Sequence, residues 1–308
     1  MRAAVIDDGR LVIEQRPDPV PGEGQVVIAV HAAGINGADL AQRAGHYPPP
    51  PDAPQDIPGL ECAGRIAAVG PNAFLFSPGD RVMALLGGGG HAELAAVHER
   101  HVLRVPDGVD WPAAGGFVEA YATAHDALFT QAGLAAGERL LVNGAAGGVG
   151  VAAVQLGLAV GATVTANARH SRDRLEKLGA ATRVEGPYDV VLELVGGDLL
   201  SRDLELLALG GRLVVIGIGA GGKVDVDFGT LMRRRIRIST STLRARPLEE
   251  KAAVVQRLAR HVVPLLAAGR IGVPVERVFP LEDADAAYDA FKAGGKFGKL
   301  IVGATIGA

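Results

Sequence analysis

The apolar positions of this chain fall into two regimes. Over the first third they come in short β-branched runs broken by turns. Residues 25–33 (QVVIAVHAA), 61–69 (ECAGRIAAV) and 81–86 (RVMALL) each have strand length and are separated by the turn-forming stretches PVPGEG and PNAFLFSPGD. A short helix is expected over residues 38–44. Residues 47–59 (YPPPPDAPQDIPG) must form a loop, because proline lacks an amide donor and fixes its own backbone. No strand here alternates with a long helix. Residues 1 to about 115 therefore read as a β-rich, barrel-like unit.

Further along, the period changes. Residues 120–131 predict a helix, ERLLVN a strand, VGVAAVQLGLAVG a helix and ATVTAN a strand. SRDRLEKLG (helix), YDVVLEL (strand), LLSRDLELLAL (helix) and GRLVVIGIG (strand) continue the alternation. Continuous apolar strands joined by helices imply a parallel sheet covered on both faces. RRRIRISTST, 233–242, alternates arginine with isoleucine and predicts one further strand. An amphipathic helix runs from about Leu248 to Ala268, with Pro264 bending or ending it. The tail GKFGKLIVGAT holds a final strand that belongs to no βαβ unit and is free to return to the first domain.

Composition narrows the class. The chain of 308 residues is 48% apolar with a formal charge of -3, which excludes a disordered chain and a strongly basic nucleic-acid binder. Cys62 is the single cysteine, so neither a disulfide framework nor a thiolate zinc cluster can form. The N-terminus carries acids early and no long apolar run, and the greasiest stretch, LLALGGRLVVIGIGAGG, is broken by glycines and an arginine. Neither a signal peptide nor a membrane span is expected, and a cytoplasmic protein is the default.

The most informative stretch is LLVNGAAGGVGVAAVQLG, residues 140–157. A strand runs into a glycine turn and then a helix. Free amides at a helix start, with no side chains in the way, let a diphosphate approach the backbone. Ala145 stands where the usual G-x-G-x-x-G fingerprint has its first glycine, and Gly150 permits tight helix–sheet packing. At the end of the next strand, an NAD site usually carries a carboxylate for the ribose 2′-hydroxyl. Here Asn167 takes that place, followed by Arg169, His170 and Arg172. An uncharged amide with nearby cations suits a 2′-phosphate, so NADPH is expected over NADH.

The glycines of GGRLVVIGIGAGG fall at the carboxyl edge of the sheet, where ligands bind. Tyr47, on the proline loop, can donate a hydrogen bond to a carbonyl oxygen, with Asn36, Asp39 and Arg43 upstream. His98 and His101 have i,i+3 spacing but lie in what reads as a connecting turn, and two solvated side chains are expected rather than a metal site. Arg233–Arg235 are expected to face solvent.

Several segments converge on one family: AGINGAD (33–39) with Arg43, IPGLECAG (57–64), GDRV (79–82), NGAAGGVG (143–150), LGA (178–180), GGRL (210–213) and GKFGKL (295–300). Together they make the whole chain resemble the zinc-independent quinone oxidoreductases of the medium-chain dehydrogenase/reductase superfamily. The resemblance implies an α/β fold, a Rossmann-type doubly wound parallel sheet plus a GroES-like β-rich domain. A GroES-like catalytic domain would span 1–117, completed by 256–308, with a Rossmann NADPH-binding domain at 118–255. It also implies no zinc: zinc-using relatives carry cysteine where Asn36 stands and histidine where Leu60 stands, Glu61 alone persists, and the four-cysteine segment is missing.

Carried over position by position, the resemblance puts Asn36 and Tyr47 at the substrate and Thr123 at the nicotinamide amide. Ala146, Gly147, Gly148 and Val149 fall at the diphosphate. Asn167, Arg169, His170 and Arg172 fall in the 2′-phosphate segment, Gly217 and Ile218 beside the nicotinamide, and Phe297 and Lys299 in a late segment reaching the cofactor. The expected activity is hydride transfer from NADPH to a quinone or related electron-poor acceptor. An enone or alkenal double-bond reductase and a non-catalytic NADPH-binding protein are the alternatives. The family is generally dimeric, and a homodimer through the edge strand near Arg235–Thr242 is expected, with no nucleic-acid or membrane partner.

Overall fold

The computed structural model describes residues 1–303. The chain opens on a hairpin of β1 (Arg2–Asp7) and β2 (Arg10–Gln15). Asp8 and Gly9 at its tip both have positive φ, the geometry that a two-residue Asp-Gly turn supplies. Next come β3 (Gln25–Gly34), α1 (Gly37–Arg43), β4 (Glu61–Val69), β5 (Arg81–Leu85), β6 (Leu94–His98) and β7 (Val102–Arg104). Helices α2 (Trp111–Gly115) and α3 (Val118–His125) follow, the latter running into a π-helical turn at Asp126–Gln131. The middle of the chain is β8 (Arg139–Asn143), α4 (Gly148–Ala159), β9 (Thr163–Asn167), α5 (Arg172–Lys177), β10 (Tyr188–Glu193), α6 (Leu199–Leu206), β11 (Leu207–Val215), α7 (Phe228–Arg234) and β12 (Arg237–Thr240). Last come α8 (Leu248–His261), α9 (Val263–Ala267), β13 (Val275–Pro280), α10 (Ala284–Ala293) and β14 (Lys299–Gly303). Of the tail strand expected over GKFGKLIVGAT, Ala304 and Thr305 lie outside the described residues, as do the last residues of the segment 256–308.

Two compact units result, Met1–Ala122 with Leu243–Ala308, and Thr123–Thr242. In the first, a sheet of order β13-β14-β3-β4-β5-β7, with β6 also on β3, is antiparallel except for the β13–β14 pair. The final strand β14 does join β3, through Ile301 and Val302 opposite Gly34 and Ala33. Val26, Ile28, Val30, Cys62, Ile66, Val82 and Ala84 form one core, and Tyr288, Phe279, Leu281, Leu300 and Val302 a second. Each valine, leucine, isoleucine or phenylalanine among them contributes about 1.5–3 kcal/mol on leaving water. Helix α8 packs on β7 and on the 3-10 turn Glu99–His101, so it lies wholly in this unit although its first half was assigned by sequence to the nucleotide-binding domain.

In the second unit five strands, β12-β11-β10-β8-β9, are all parallel. Leu140–Asn143 and Val190–Glu193 are buried without alternation, as strands covered on both faces require. Several boundaries differ from expectation. The helix expected over 120–131 gives way to the π turn after His125. The helix expected through Leu209 stops at Leu206, because Leu207 already pairs with Tyr188 in the sheet. Arg233 and Arg234 close α7 rather than opening a strand, and Arg234 donates to the Leu204 carbonyl instead of standing free in solvent. The amphipathic helix breaks at Val262, just ahead of Pro264. His98 and His101 are not two solvated side chains. His101 is buried against the Leu248 carbonyl at 3.1 Å, and His98 Nδ1 accepts from the Arg100 amide.

Candidate functional site

In the second unit the glycine turn joins β8 to α4. Gly147 is the helix N-cap in extended conformation and provides no side-chain cap, so the first-turn amides of Gly148, Val149 and Gly150 are left for an incoming acceptor. Gly150 has no alternative. A Cβ there would lie 2.4 Å from the Gly144 carbonyl oxygen and 2.6 Å from Ala145 Cα. Gly157 likewise lets α4 settle on the sheet, since a Cβ would meet Leu140 and Val164 at 2.8 and 2.9 Å. Ala146 is buried beneath the turn, and Gly147, Gly148 and Val149 are partly exposed on it. Open amides, absent side chains and a dipole end fit a dinucleotide diphosphate.

Asn167 ends β9 directly opposite Asn143 and donates from Nδ2 to Asn143 Oδ1 at 2.8 Å. Arg169 and Arg172 beyond it are exposed, and His170 pairs with the Ser171 hydroxyl. Gly217 and Ile218 follow β11, where the chain lies against the loop after β10. A Cβ on Gly217 would lie 2.3 Å from the Leu194 carbonyl, and Ile218 is exposed. Thr123 is buried on α3.

In the first unit Asn36, Glu61 and Lys299 meet in one buried cluster. Lys299 Nζ donates to Glu61 Oε1 at 2.6 Å, to Asn36 Oδ1 at 2.7 Å and to the Ile35 carbonyl at 2.9 Å. Asn36 Nδ2 donates to Glu61 Oε1 at 3.0 Å, and Glu61 Oε2 accepts from the Glu119 amide. Each group answers the desolvation of another, which is how buried charge is tolerated. Both polar ends of Asn36 are thus occupied by protein. Beside it Asp39 accepts from the Asn36 and Gly59 amides. Burial raises its carboxyl to about 6, against the opposing pull of those amides and Lys299. Phe297, two residues before Lys299, is buried, its amide directed at Glu276.

Tyr47 is half-buried at the start of the proline loop. Arg244 holds it, donating from Nη1 to the Tyr47 carbonyl at 2.8 Å with its guanidinium 5.3 Å from the ring centre, while also reaching the Gly87 carbonyl and Gln42 Oε1. Burial, then the Glu119 carboxylate, raises the Tyr47 phenol above its ordinary value, so it stays an O–H donor at neutral pH. Arg244 was not among the residues expected to matter, although it stands in the sequence as the first arginine of LRARPLEEK.

Similarity to known proteins bears on both units. The alcohol dehydrogenase GroES-like domain family matches residues 22–107, and the zinc-binding dehydrogenase family matches residues 160–302. Quinone oxidoreductase from Homo sapiens is 31% identical, over 96% of this chain and 94% of its own length. Among solved structures, an alcohol dehydrogenase superfamily protein from Novosphingobium aromaticivorans superposes with a TM-score of 0.88 at 28% identity, over 98% of this chain and 99% of that one. The CurK enoyl reductase superposes with a TM-score of 0.80 at 26% identity, over 98% of this chain and 97% of its own.

The zinc in one of those family descriptions can be set against the residues present. Zinc requires three or four thiolate, imidazole or carboxylate donors converging on one point. Glu61 here turns its Oε1 to an ammonium and an amide, and Leu60 is an apolar neighbour. Among the described residues no three His, Cys, Asp or Glu side chains are grouped to hold a metal ion. The cluster does not fit zinc.

Proposed function

Because the chain belongs to the medium-chain dehydrogenase/reductase superfamily, as a quinone oxidoreductase-like oxidoreductase with a GroES-like and a Rossmann-type domain, we propose that it reduces a quinone or related electron-poor acceptor with NADPH and without zinc. The observation that carries the cofactor choice is the end of β9. It offers a neutral amide, Asn167, with Arg169, His170 and Arg172 following and no carboxylate from 167 to 172 to repel a 2′-phosphate. The observation that carries the zinc-free mechanism is the Lys299 ammonium seated against Glu61.

The nicotinamide supplies the hydride when bound, and the protein's task is to hold, orient and desolvate. The amides of Gly148–Gly150 hold the diphosphate, with Ala146 beneath. Thr123, Gly217 and Ile218 border the nicotinamide. As negative charge builds on the acceptor's carbonyl oxygen, Tyr47 donates its phenolic proton or hydrogen bond, and Arg244 keeps the loop that bears it in place. Asn36 acts indirectly, as a positioning residue, since its amide is committed to Glu61 and Lys299. Lys299 and Phe297 are then residues of this buried cluster and its surroundings, where the resemblance implied contact with the cofactor.

Two copies are proposed to pair through β12. It is the edge strand of the parallel sheet, Ile238 is exposed on it, and the exposed Phe228 and Met232 stand on the preceding helix. No described helix is long and apolar enough to cross a membrane.

Turnover with NADPH and with NADH, against a panel of quinones and enones, tests the reading. The expected result is faster oxidation of NADPH, with quinones the better acceptors. A clear NADH preference removes the role given to Arg169, His170 and Arg172. The likeness to CurK enoyl reductase favours a second reading, reduction of an activated carbon–carbon double bond, and enone turnover exceeding quinone turnover would establish it.

A further inference from the structure

Behind the nucleotide turn, four polar side chains from four elements form a chain that the fold alone does not require. Asn143, at the end of β8, donates from Nδ2 to both Glu193 Oε2 and Asp203 Oδ1, each at 2.7 Å. Glu193 ends β10, and its Oε1 accepts the Val195 and Gly196 amides. Asp203 projects from α6. All three are almost wholly shielded from water, Glu193 at 0% exposure and Asp203 and Asn143 at 1%. Asp203 Oδ2 is buried with no donor to accept from. An ionised oxygen in that position would be costly. A proton shared between the Asp203 and Glu193 carboxyls removes that charge and its cost.

The consequence travels along the amides. Two carboxyl groups sharing one proton draw the Asn143 amino group toward themselves, so Asn143 Oδ1 must face the other way, toward β9. That oxygen in turn fixes the Asn167 amide, Nδ2 inward at 2.8 Å and Oδ1 turned away from the chain. We propose that Asp203 acts as a neutral acid sharing its proton with Glu193, and that this pair, through Asn143, aligns the Asn167 amide to accept a ribose hydroxyl of the bound dinucleotide. Asn143, Glu193 and Asp203 are positioning residues, and the 2′-phosphate is left to the cations that follow Asn167. This rests on the nucleotide reading given above. The ionisable groups acting on Asp203 are Glu193 from β10 and Arg202 on its own helix. β8 contributes the neutral Asn143, and β11 meets the helix with apolar Leu207 and Leu213. Burial first, then Glu193, raises the Asp203 carboxyl to about 8.

The test is equilibrium binding of NADPH and of NADH, followed by nucleotide fluorescence on the full chain, which needs no turnover. Asp203→Leu is expected to weaken both nucleotides alike by about tenfold, the value of one well-aligned hydrogen bond. Asp203→Asn, whose amide can accept from Asn143 and donate to Glu193, is expected to restore most of that affinity. A protonated-carboxyl stretch in the infrared spectrum at neutral pH, absent from Asp203→Asn, reads the shared proton directly. Unchanged binding by Asp203→Leu, an Asn variant as weak as the Leu variant, or a loss confined to NADPH would each overturn the positioning role. Absence of the infrared band would overturn the neutral acid. A wild-type chain that binds neither nucleotide sinks the nucleotide reading and the positioning role together, and the band still decides the shared proton.

Discussion

Replacing Lys299 by methionine is the sharpest perturbation of the zinc-free cluster. Methionine keeps the length of the side chain but removes the ammonium. Glu61, fully buried, then keeps Asn36 and the Glu119 amide as donors and loses the 2.6 Å partner that balances its charge. Breaking a buried pair by removing one member costs about 3–5 kcal/mol. In a unit of this size each kcal/mol moves the midpoint by ~2–4 °C, so a Tm lower by roughly 6–20 °C is expected. Calorimetric scans of the wild type, Lys299→Met and the double variant Lys299→Met/Glu61→Gln at neutral pH measure this. The double variant is expected to recover most of the lost midpoint, because no unpaired charge remains. A single variant as stable as the wild type, or a double variant no better than the single, would refute the reasoning.

Other outcomes follow from the same structure. Gly150→Ala places a methyl group 2.4 Å from the Gly144 carbonyl, and a loss of about 1–3 kcal/mol by chemical denaturation is expected, together with weaker nucleotide binding. Arg169→Ala and Arg172→Ala together are expected to raise KM for NADPH and leave that for NADH nearly unchanged, which steady-state kinetics with both nucleotides will show. Tyr47→Phe removes the donor at the acceptor carbonyl and is expected to lower quinone turnover modestly, since water can serve in its place; unchanged kcat and KM would remove Tyr47 from the mechanism. The raised carboxyl of Asp203 binds a proton in the folded chain at pH values where the unfolded chain has lost it. Its contribution to stability is thus full at acid pH and is lost as pH rises toward 8, at about 1.4 kcal/mol per unit, and Asp203→Asn is expected to flatten that part of the pH–stability curve.

What could be read along the chain was local or periodic. The βαβ alternation, the glycine turn between β8 and α4 and the proline loop all carry their cause in neighbouring residues. The first hairpin is legible too, since RAAVID and RLVIEQ flank the turn Asp8–Gly9. The end of α6 was not legible. LLSRDLELLAL keeps its leucine spacing past the point where pairing with Tyr188 draws Leu207 into the sheet, and only the neighbouring strand decides that. The polar clusters were hidden for a similar reason. Lys299 and Glu61 lie 238 positions apart, and Asn143 and Asp203 lie 60 apart. No spacing rule links such residues. Lys299 could be matched to a late segment of the family, but its three buried partners come from two strand pairings, β14 with β3 for Ile35 and Asn36 and β3 with β4 for Glu61.

NADPH oxidation by a quinone, followed at the nicotinamide absorbance with purified chain dialysed against a zinc chelator, is the decisive measurement of zinc-free quinone reduction. The expected result is undiminished turnover, with zinc added back giving no increase and NADH serving poorly. Activity that vanishes with the chelator and returns with zinc, or a folded chain that oxidises neither nucleotide, would contradict it.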